Sequence, residues 1–291
     1  MNSINGIITP MVTPVSQGNV DEGRISELMA FIKGEGVSAA FPMGSTGLFP
    51  LFSKENHVKA IEVTVKHALS GMMVLAGAGR NDIDETLEVA KMSADAGADA
   101  VVIVTPFYIR MSQNSMLNYY SRIASALDSK IIAYNIPQFT GNSISAEMLS
   151  TLMKEHSNII GVKDSSGDLR STQKYISTLP HGAYIYQGQD DLLLPSMAIG
   201  VSGGVCGTTN FIGLAVRLWK SGSSGAESKS IQLRLSGIMR TISMTDFPKA
   251  YYYLFERLVM KNNKPRNYLP FPIEDLSAQE ENALDRAVNL K

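Results

Sequence analysis

The sequence predicts an α/β protein of one architecture, a (β/α)8 or TIM barrel carrying a C-terminal helical appendage. Two observations predict it. Eight short apolar, β-prone runs alternate with eight stretches of helical periodicity, each unit taking roughly 20 to 35 residues, the pattern of parallel strand–helix repeats. The glycine fingerprint of an open, doubly wound sheet is also missing, since Gly77-Ala78-Gly79 has no third glycine at the required offset.

The elements follow in chain order. Residues 6–12 are apolar and β-prone, and 21–35 continue with helical spacing. Residues 38–43 form the second strand. Ser53-Lys54-Glu55-Asn56 opens a helix running to residue 69, with the Ser53 hydroxyl available to cap its free N–H groups. The third pair is 72–76 with 82–96, closed by Gly97, and the fourth is 100–105 with 113–127. The fifth is 130–134 with 146–156, and the sixth is the run ending in Lys163 with 169–179. The last two are 183–186 with 191–199 and 203–206 with 212–220. After the Ser221-Gly222-Ser223-Ser224-Gly225 turn the periodicity is wholly helical, over 227–241, 247–261 and 277–290. The expected division is therefore a barrel over residues 1–220 and helices over 221–291 packed on it.

Composition bounds the function. Of 291 residues 44% are apolar and 18% charged, which supports a large core and argues against disorder. A net charge of −1 without a basic block disfavours nucleic acid or an anionic membrane as partner. No apolar run reaches the roughly 18 residues of a membrane span. The start, Met1-Asn2-Ser3-Ile4-Asn5, lacks a signal-peptide pattern, and the single cysteine, Cys206, forbids an internal disulfide. The expected location is the cytoplasm. His57, His67, His156 and His181 have no His or Cys at ligand spacing, so no metal is expected.

Active sites of such barrels form at the C-terminal ends of the strands, and four strand ends carry chemistry here. In Ile159-Ile160-Gly161-Val162-Lys163-Asp164 a lysine stands at the end of an apolar strand. Lysine is seldom buried without a partner or a task, and a desolvated neutral amine is a nucleophile toward ketones. Gly44-Ser45-Thr46-Gly47 combines two hydroxyls with a backbone suited to cradling a carboxylate. Thr105-Pro106-Phe107-Tyr108-Ile109-Arg110 and Tyr134-Asn135-Ile136-Pro137 each put a phenol at or just past a strand end, where it can act as acid or base. Cys206 reads as a small buried hydrophobe, and the 15 methionines as core filler.

Together with Thr140-Gly141 and Gly161-Val162-Lys163-Asp164, these motifs resemble the pyruvate-dependent class I aldolase family that contains dihydrodipicolinate synthase and N-acetylneuraminate lyase. The resemblance runs from Gly6 to Asn210. It implies that Lys163 forms a Schiff base with the keto carbon of pyruvate and that Tyr134 shuttles protons. Ser45 stands where the family usually has a threonine in a proton relay, and Tyr108 would complete that relay from a neighbouring subunit. Thr46, with the backbone N–H groups of Ser45 and Thr46, would hold the pyruvate carboxylate. Pro10, Gly188 and Val205 match positions lining the pyruvyl pocket. No cofactor beyond the covalent lysine adduct is implied, and the expected assembly is a homotetramer, a dimer of dimers.

The branch is suggested by departures. Phe139 replaces the arginine with which dihydrodipicolinate synthase binds its charged substrate, and Leu48 replaces a glutamate. Gly47-Leu48-Phe49-Pro50, Arg110-Met111-Ser112, and Lys264-Pro265-Arg266 with Pro270-Phe271-Pro272 resemble archaeal 2-keto-3-deoxygluconate aldolases. Ser166-Gly167-Asp168-Leu169 and Ile136 resemble N-acetylneuraminate lyase. The expected reaction is reversible cleavage of 2-keto-3-deoxygluconate to pyruvate and glyceraldehyde. Sialic acid cleavage, the lysine-pathway condensation and a catalytically silent binding protein are the alternatives. Arg110 is either a contact to the distal end of the sugar acid or a subunit-interface or surface arginine.

Overall fold

The computed structural model describes residues 4–69, 71–266, 269 and 274–289. Eight parallel strands close into a barrel: β1 (Gly6–Pro10), β2 (Ala39–Phe41), β3 (Met73–Gly77), β4 (Ala100–Val104), β5 (Ile131–Asn135), β6 (Ile159–Asp164), β7 (Tyr184–Gln187) and β8 (Gly203–Val205). Each strand pairs with its sequence neighbours, and β1 closes the ring by pairing with both β2 and β8. Ile8 lies opposite Ala39 on one side and Val205 on the other. Strands such as β4, Ala-Val-Val-Ile-Val, are buried at every position, because the barrel interior covers one face and the helices the other.

The surrounding helices are α1 (Glu22–Glu35), α2 (Lys54–Lys66), α3 (Ile83–Asp95), α4 (Gln113–Ala126), α5 (Ala146–Glu155), α6 (Leu169–Thr178), α7 (Leu193–Ile199) and α8 (Leu214–Ser221). The first six start on a short polar side chain, Asp21, Ser53, Asp82, Ser112, Ser145 or Asp168, that accepts a backbone N–H of the first turn. Each such cap stabilises its helix by about 1 kcal/mol. Gly161 serves packing: a Cβ there would lie 2.0 Å from the Tyr184 carbonyl oxygen, so β6 and β7 could not approach as they do.

Several local features differ from expectation. The stretch expected as one helix over 191–199 begins as a 3-10 turn, Asp190–Leu192, because Asp190 turns inward and is fully bonded elsewhere. The last strand stops at Val205, leaving Cys206 just beyond it. The helix expected over 247–261 spans only Lys249–Leu258, and the Phe247-Pro248 peptide before it is cis. A small hairpin, Val15–Ser16 against Asn19–Val20, was not expected; Gln17 and Gly18 turn it with φ of 51° and 79°, the positive pair that a tight hairpin turn needs. A 3-10 turn at Phe49–Leu51 and a helical turn at Pro137–Thr140 sit in the loops after β2 and β5.

Three more helices follow the barrel: α9 (Ala226–Ile242), α10 (Lys249–Leu258) and α11 (Ala278–Ala287). They share one apolar core with the barrel, in which Ile231, Leu235 and Ile238 join Ile7 and Ile8. Helix α10 is buried from Lys249 through Glu256, and Tyr252 accepts the Thr13 backbone N–H at 2.9 Å, fastening it to the end of β1. The Pro270-Phe271-Pro272 string and residue 290 of the last expected helix lie outside the described residues. Among the described residues no helix is long and apolar enough to cross a membrane.

Candidate active site

Tyr134 and Lys163 are register partners on β5 and β6, each one residue before its strand's end. Strand alternation sends these two side chains into the barrel mouth and the following residues, Asn135 and Asp164, toward the helices. There Asn135 donates to Asp164 at 2.9 Å, Thr172 donates to the other carboxylate oxygen at 2.9 Å, and the Ser166 N–H adds a third bond at 3.1 Å. Asn135 in turn accepts the Ile144 N–H at 3.0 Å. This outward network fixes the strand ends that carry the inward pair and keeps the Asp164 carboxylate away from Lys163.

Lys163 is 5% exposed, and its Nζ lies 3.8 Å from the Tyr134 ring centre and 4.9 Å from that of Phe41. The amine thus rests over two aromatic ring faces. Tyr134 itself meets Phe41 edge to face at 6.3 Å, and its hydroxyl lies 3.3 Å from Ser45 Oγ. Amine, phenol and hydroxyl thus form a continuous row.

The loop after β2 carries Ser45 and Thr46. Met43 and Leu48 take φ of 56° and 58°, and a Cβ at Gly47 would lie 2.8 Å from Thr13 Oγ1 and 3.0 Å from the Met11 carbonyl oxygen. The glycine lets the loop press against the end of β1. No described residue takes the backbone N–H of Ser45 or Thr46, so both stay available to an anion.

A cavity of about 320 Å³ opens on this row. Pro10, Ser45, Thr46, Tyr134, Lys163, Gly188 and Val205, all singled out in the sequence, line it. Gly188 is required by its neighbour: a Cβ would fall 1.9 Å from Ser165 Oγ. Tyr108 and Arg110 are not among the lining residues; both are exposed, Tyr108 by 90% with φ at 76°. Their loop is nonetheless anchored. Asn142 donates to the Pro106 and Ile109 carbonyls and accepts the Met111 N–H, and Asn81 accepts the Phe107 N–H. Tyr108 is therefore presented outward on a braced loop.

Other lining residues escaped the sequence reading. Asp190 is fully buried; burial pushes its carboxyl pKa up, partly offset by bonds from the Gly207 and Thr208 N–H groups at 2.9 Å and from Thr208 Oγ1 at 2.5 Å. It holds the turn behind Val205. The only hint in the sequence was its place two residues past Gly188. The far wall comes from the appendage, through Met239, Ile242, Ser243, Thr245, Phe247, Pro248 and Tyr251. Nothing in a helical pattern tens of residues beyond the last strand marks these as lining a site. Cys206 is fully buried, and burial pushes its thiol well above the ordinary range. Among the described residues no group of three or more His, Cys, Asp or Glu side chains could hold a metal ion.

The (β/α)8 barrel, with its cavity at the C-terminal ends of the strands, and the family and relatives that the chain matches make it a lyase of the pyruvate-dependent aldolase type. The chain belongs to the dihydrodipicolinate synthetase family, which it matches over residues 3–291. It is 38% identical over 263 residues to a 2-dehydro-3-deoxy-D-gluconate/2-dehydro-3-deoxy-phosphogluconate aldolase of Picrophilus torridus, covering 89% of this chain and 97% of that one. It is 31% identical over 277 residues to a 4-hydroxy-tetrahydrodipicolinate synthase of Methanopyrus kandleri, covering 94% and 92% respectively. The solved 2-keto 3-deoxygluconate aldolase from Picrophilus torridus superposes with a TM-score of 0.87 at 37% identity, covering 94% of this chain and 98% of that one.

Proposed function

We propose that the chain is a Schiff-base aldolase that reversibly cleaves 2-keto-3-deoxygluconate to pyruvate and glyceraldehyde. The observation that carries the reading is the row from Lys163 Nζ, over the Tyr134 ring at 3.8 Å, to the Tyr134 hydroxyl and Ser45 Oγ at 3.3 Å. Lys163 adds to the C2 carbonyl of the sugar acid and water leaves, giving a protonated imine. Tyr134 takes the proton of the C4 hydroxyl while passing its own phenolic proton to Ser45 Oγ, as the C3–C4 bond breaks. The bond's electrons move into the imine to give an enamine, and glyceraldehyde departs. Protonation at C3 and hydrolysis release pyruvate and the free lysine. Thr46 and the open N–H groups of Ser45 and Thr46 hold the carboxylate, with Pro10, Gly188 and Val205 around the three-carbon unit. Tyr108 of a neighbouring subunit completes the relay through Ser45 in a homotetramer, and Arg110 beside it contacts the distal end of the substrate.

The choice of sugar acid draws on the likeness to the Picrophilus torridus aldolase and on Phe139. A phenyl ring cannot supply the paired N–H donors of a guanidinium to a second carboxylate. The likeness to the Methanopyrus kandleri synthase supports the lysine-pathway condensation as a second reading. The test is pyruvate release from 2-keto-3-deoxygluconate by the purified protein, followed with a pyruvate-specific coupled assay. Release with glyceraldehyde as co-product supports the proposal. No release, with pyruvate instead consumed in the presence of aspartate semialdehyde, transfers the assignment to the second reading.

A further inference from the structure

Two glutamines converge on one carbonyl just beyond the lysine. Gln138, in the helical turn after β5, donates its Nε2 to the Ser165 carbonyl at 2.7 Å; Gln189, after β7, donates its Nε2 to the same oxygen at 3.1 Å. Ser165 follows β6 and stands two residues past Lys163, and its own N–H is tied to the Asn135 carbonyl at 2.8 Å. Three adjacent strand ends are thus joined at one acceptor. A carbonyl can only accept, so it fixes which end of each amide faces it. The Gln189 backbone is held in addition by Gln187 Oε1, at 3.0 Å from its N–H.

Both glutamines line the cavity that holds Lys163 and Tyr134. With one N–H committed to Ser165, each carboxamide keeps its Oε1 and a second N–H, and no described residue takes up either Oε1. A hydroxyl both donates and accepts and so satisfies such a carboxamide fully; an anionic oxygen only accepts and would face the two Oε1 atoms without a proton to share. The same cavity is lined by Phe139 and Phe247, whose rings stand 5.2 Å apart and offer an apolar surface to C–H groups. A carbon chain bearing a hydroxyl on each carbon presents both kinds of edge.

We propose that Gln138 and Gln189 are the specificity-determining residues of this site, reading the hydroxyl groups of a neutral polyhydroxy aldehyde beyond the carbon that reacts. This rests on the aldolase reading above. On 2-keto-3-deoxygluconate these are the hydroxyls at C5 and C6, which become those of glyceraldehyde.

The experiment is initial-rate condensation of pyruvate with glyceraldehyde and with propanal, a three-carbon aldehyde without hydroxyls. Wild-type protein is compared with Gln138→Leu and Gln189→Leu, alongside borohydride trapping of the pyruvate adduct. The wild type favours glyceraldehyde in kcat/KM, and each substitution lowers the glyceraldehyde-to-propanal ratio roughly threefold to tenfold, the scale of one lost hydrogen bond, while the adduct still forms. A general structural role would instead lower both aldehydes together. An unchanged ratio in the variants, or both rates falling equally, overturns the inference and leaves the aldolase reading standing. If the leucine variants do not fold, the wild type decides: equal kcat/KM for the two aldehydes overturns the inference. Absence of any pyruvate adduct in the wild type overturns the aldolase reading and this inference with it.

Discussion

Tyr134 and Lys163 face each other across adjacent parallel strands, and the lysine Nζ rests 3.8 Å from the centre of the tyrosine ring. Register, not loop conformation, sets this contact. The strands are locked from behind by the bonds among Asn135, Asp164 and Thr172, so the pair is in place before any ligand arrives.

If Lys163 is the nucleophile, replacing its side chain removes the covalent chemistry and little else. Lys163→Ala abolishes pyruvate release and the borohydride-trapped adduct, while the circular dichroism spectrum keeps its α/β form. A variant that still forms the adduct takes the covalent role away from Lys163.

Tyr134→Phe keeps the ring under the Lys163 Nζ and the edge contact to Phe41 but removes the hydroxyl bonded to Ser45. The adduct with pyruvate still forms, whereas kcat for cleavage falls by about 10² to 10⁴, the range for a lost general acid or base. Stopped-flow separation of adduct formation from aldehyde release checks this, and an unaltered cleavage rate removes Tyr134 from proton transfer.

Legibility in the sequence tracks the range over which residues act. The barrel was readable because most strands are short, largely apolar runs that alternate with helical periodicity, a local signal repeated eight times. The inward row was readable because strand ends are where such barrels concentrate chemistry. Gln138, Gln189 and Asp190 were not, because their roles come from bonds to Ser165, Gly207 and Thr208 that no spacing reveals. Phe247 and Tyr251 were not, because they reach the cavity from a helical segment that follows the barrel. The Tyr108 motif was legible as a motif, yet its side chain points away from this chain's own cavity, and that orientation is a tertiary fact.

Acid sensitivity traces in part to His57. Burial, with a smaller contribution from Arg80, pulls its pKa from 6.5 down to about 4, against the opposing pull of the Gly77 carbonyl 2.7 Å from Nε2. The unfolded chain therefore binds a proton between those values that the folded chain does not. The stabilisation is fully present above pH 6.5 and is lost as pH falls toward 4, at up to about 1.4 kcal/mol per pH unit. Urea midpoints at pH 7.5 and 5.0 should fall for the wild type and fall less for His57→Gln, which keeps a donor toward Gly77 without titrating. Equal falls in the two proteins would clear His57 of any part.

Tyr108 stands on a loop braced by Asn142 and Asn81, with its side chain in solvent rather than in its own chain's cavity. Next to it Ile109 is 66% exposed, an apolar pair that a second subunit would cover. If Tyr108 serves the site of a neighbour, two defective variants repair one another. Tyr108→Phe alone and Lys163→Ala alone are each impaired; mixed, dissociated and reassembled, they regain activity, because a mixed assembly unites an intact Lys163 in one subunit with an intact Tyr108 from the next. Activity of the mixture equal to the mean of the two separate preparations, with exchange of subunits verified by mass spectrometry, would show that Tyr108 takes no part across an interface. Recovery above that mean establishes a shared site, and it predicts that dilution to monomers extinguishes turnover even though every monomer keeps its own Lys163 and Tyr134.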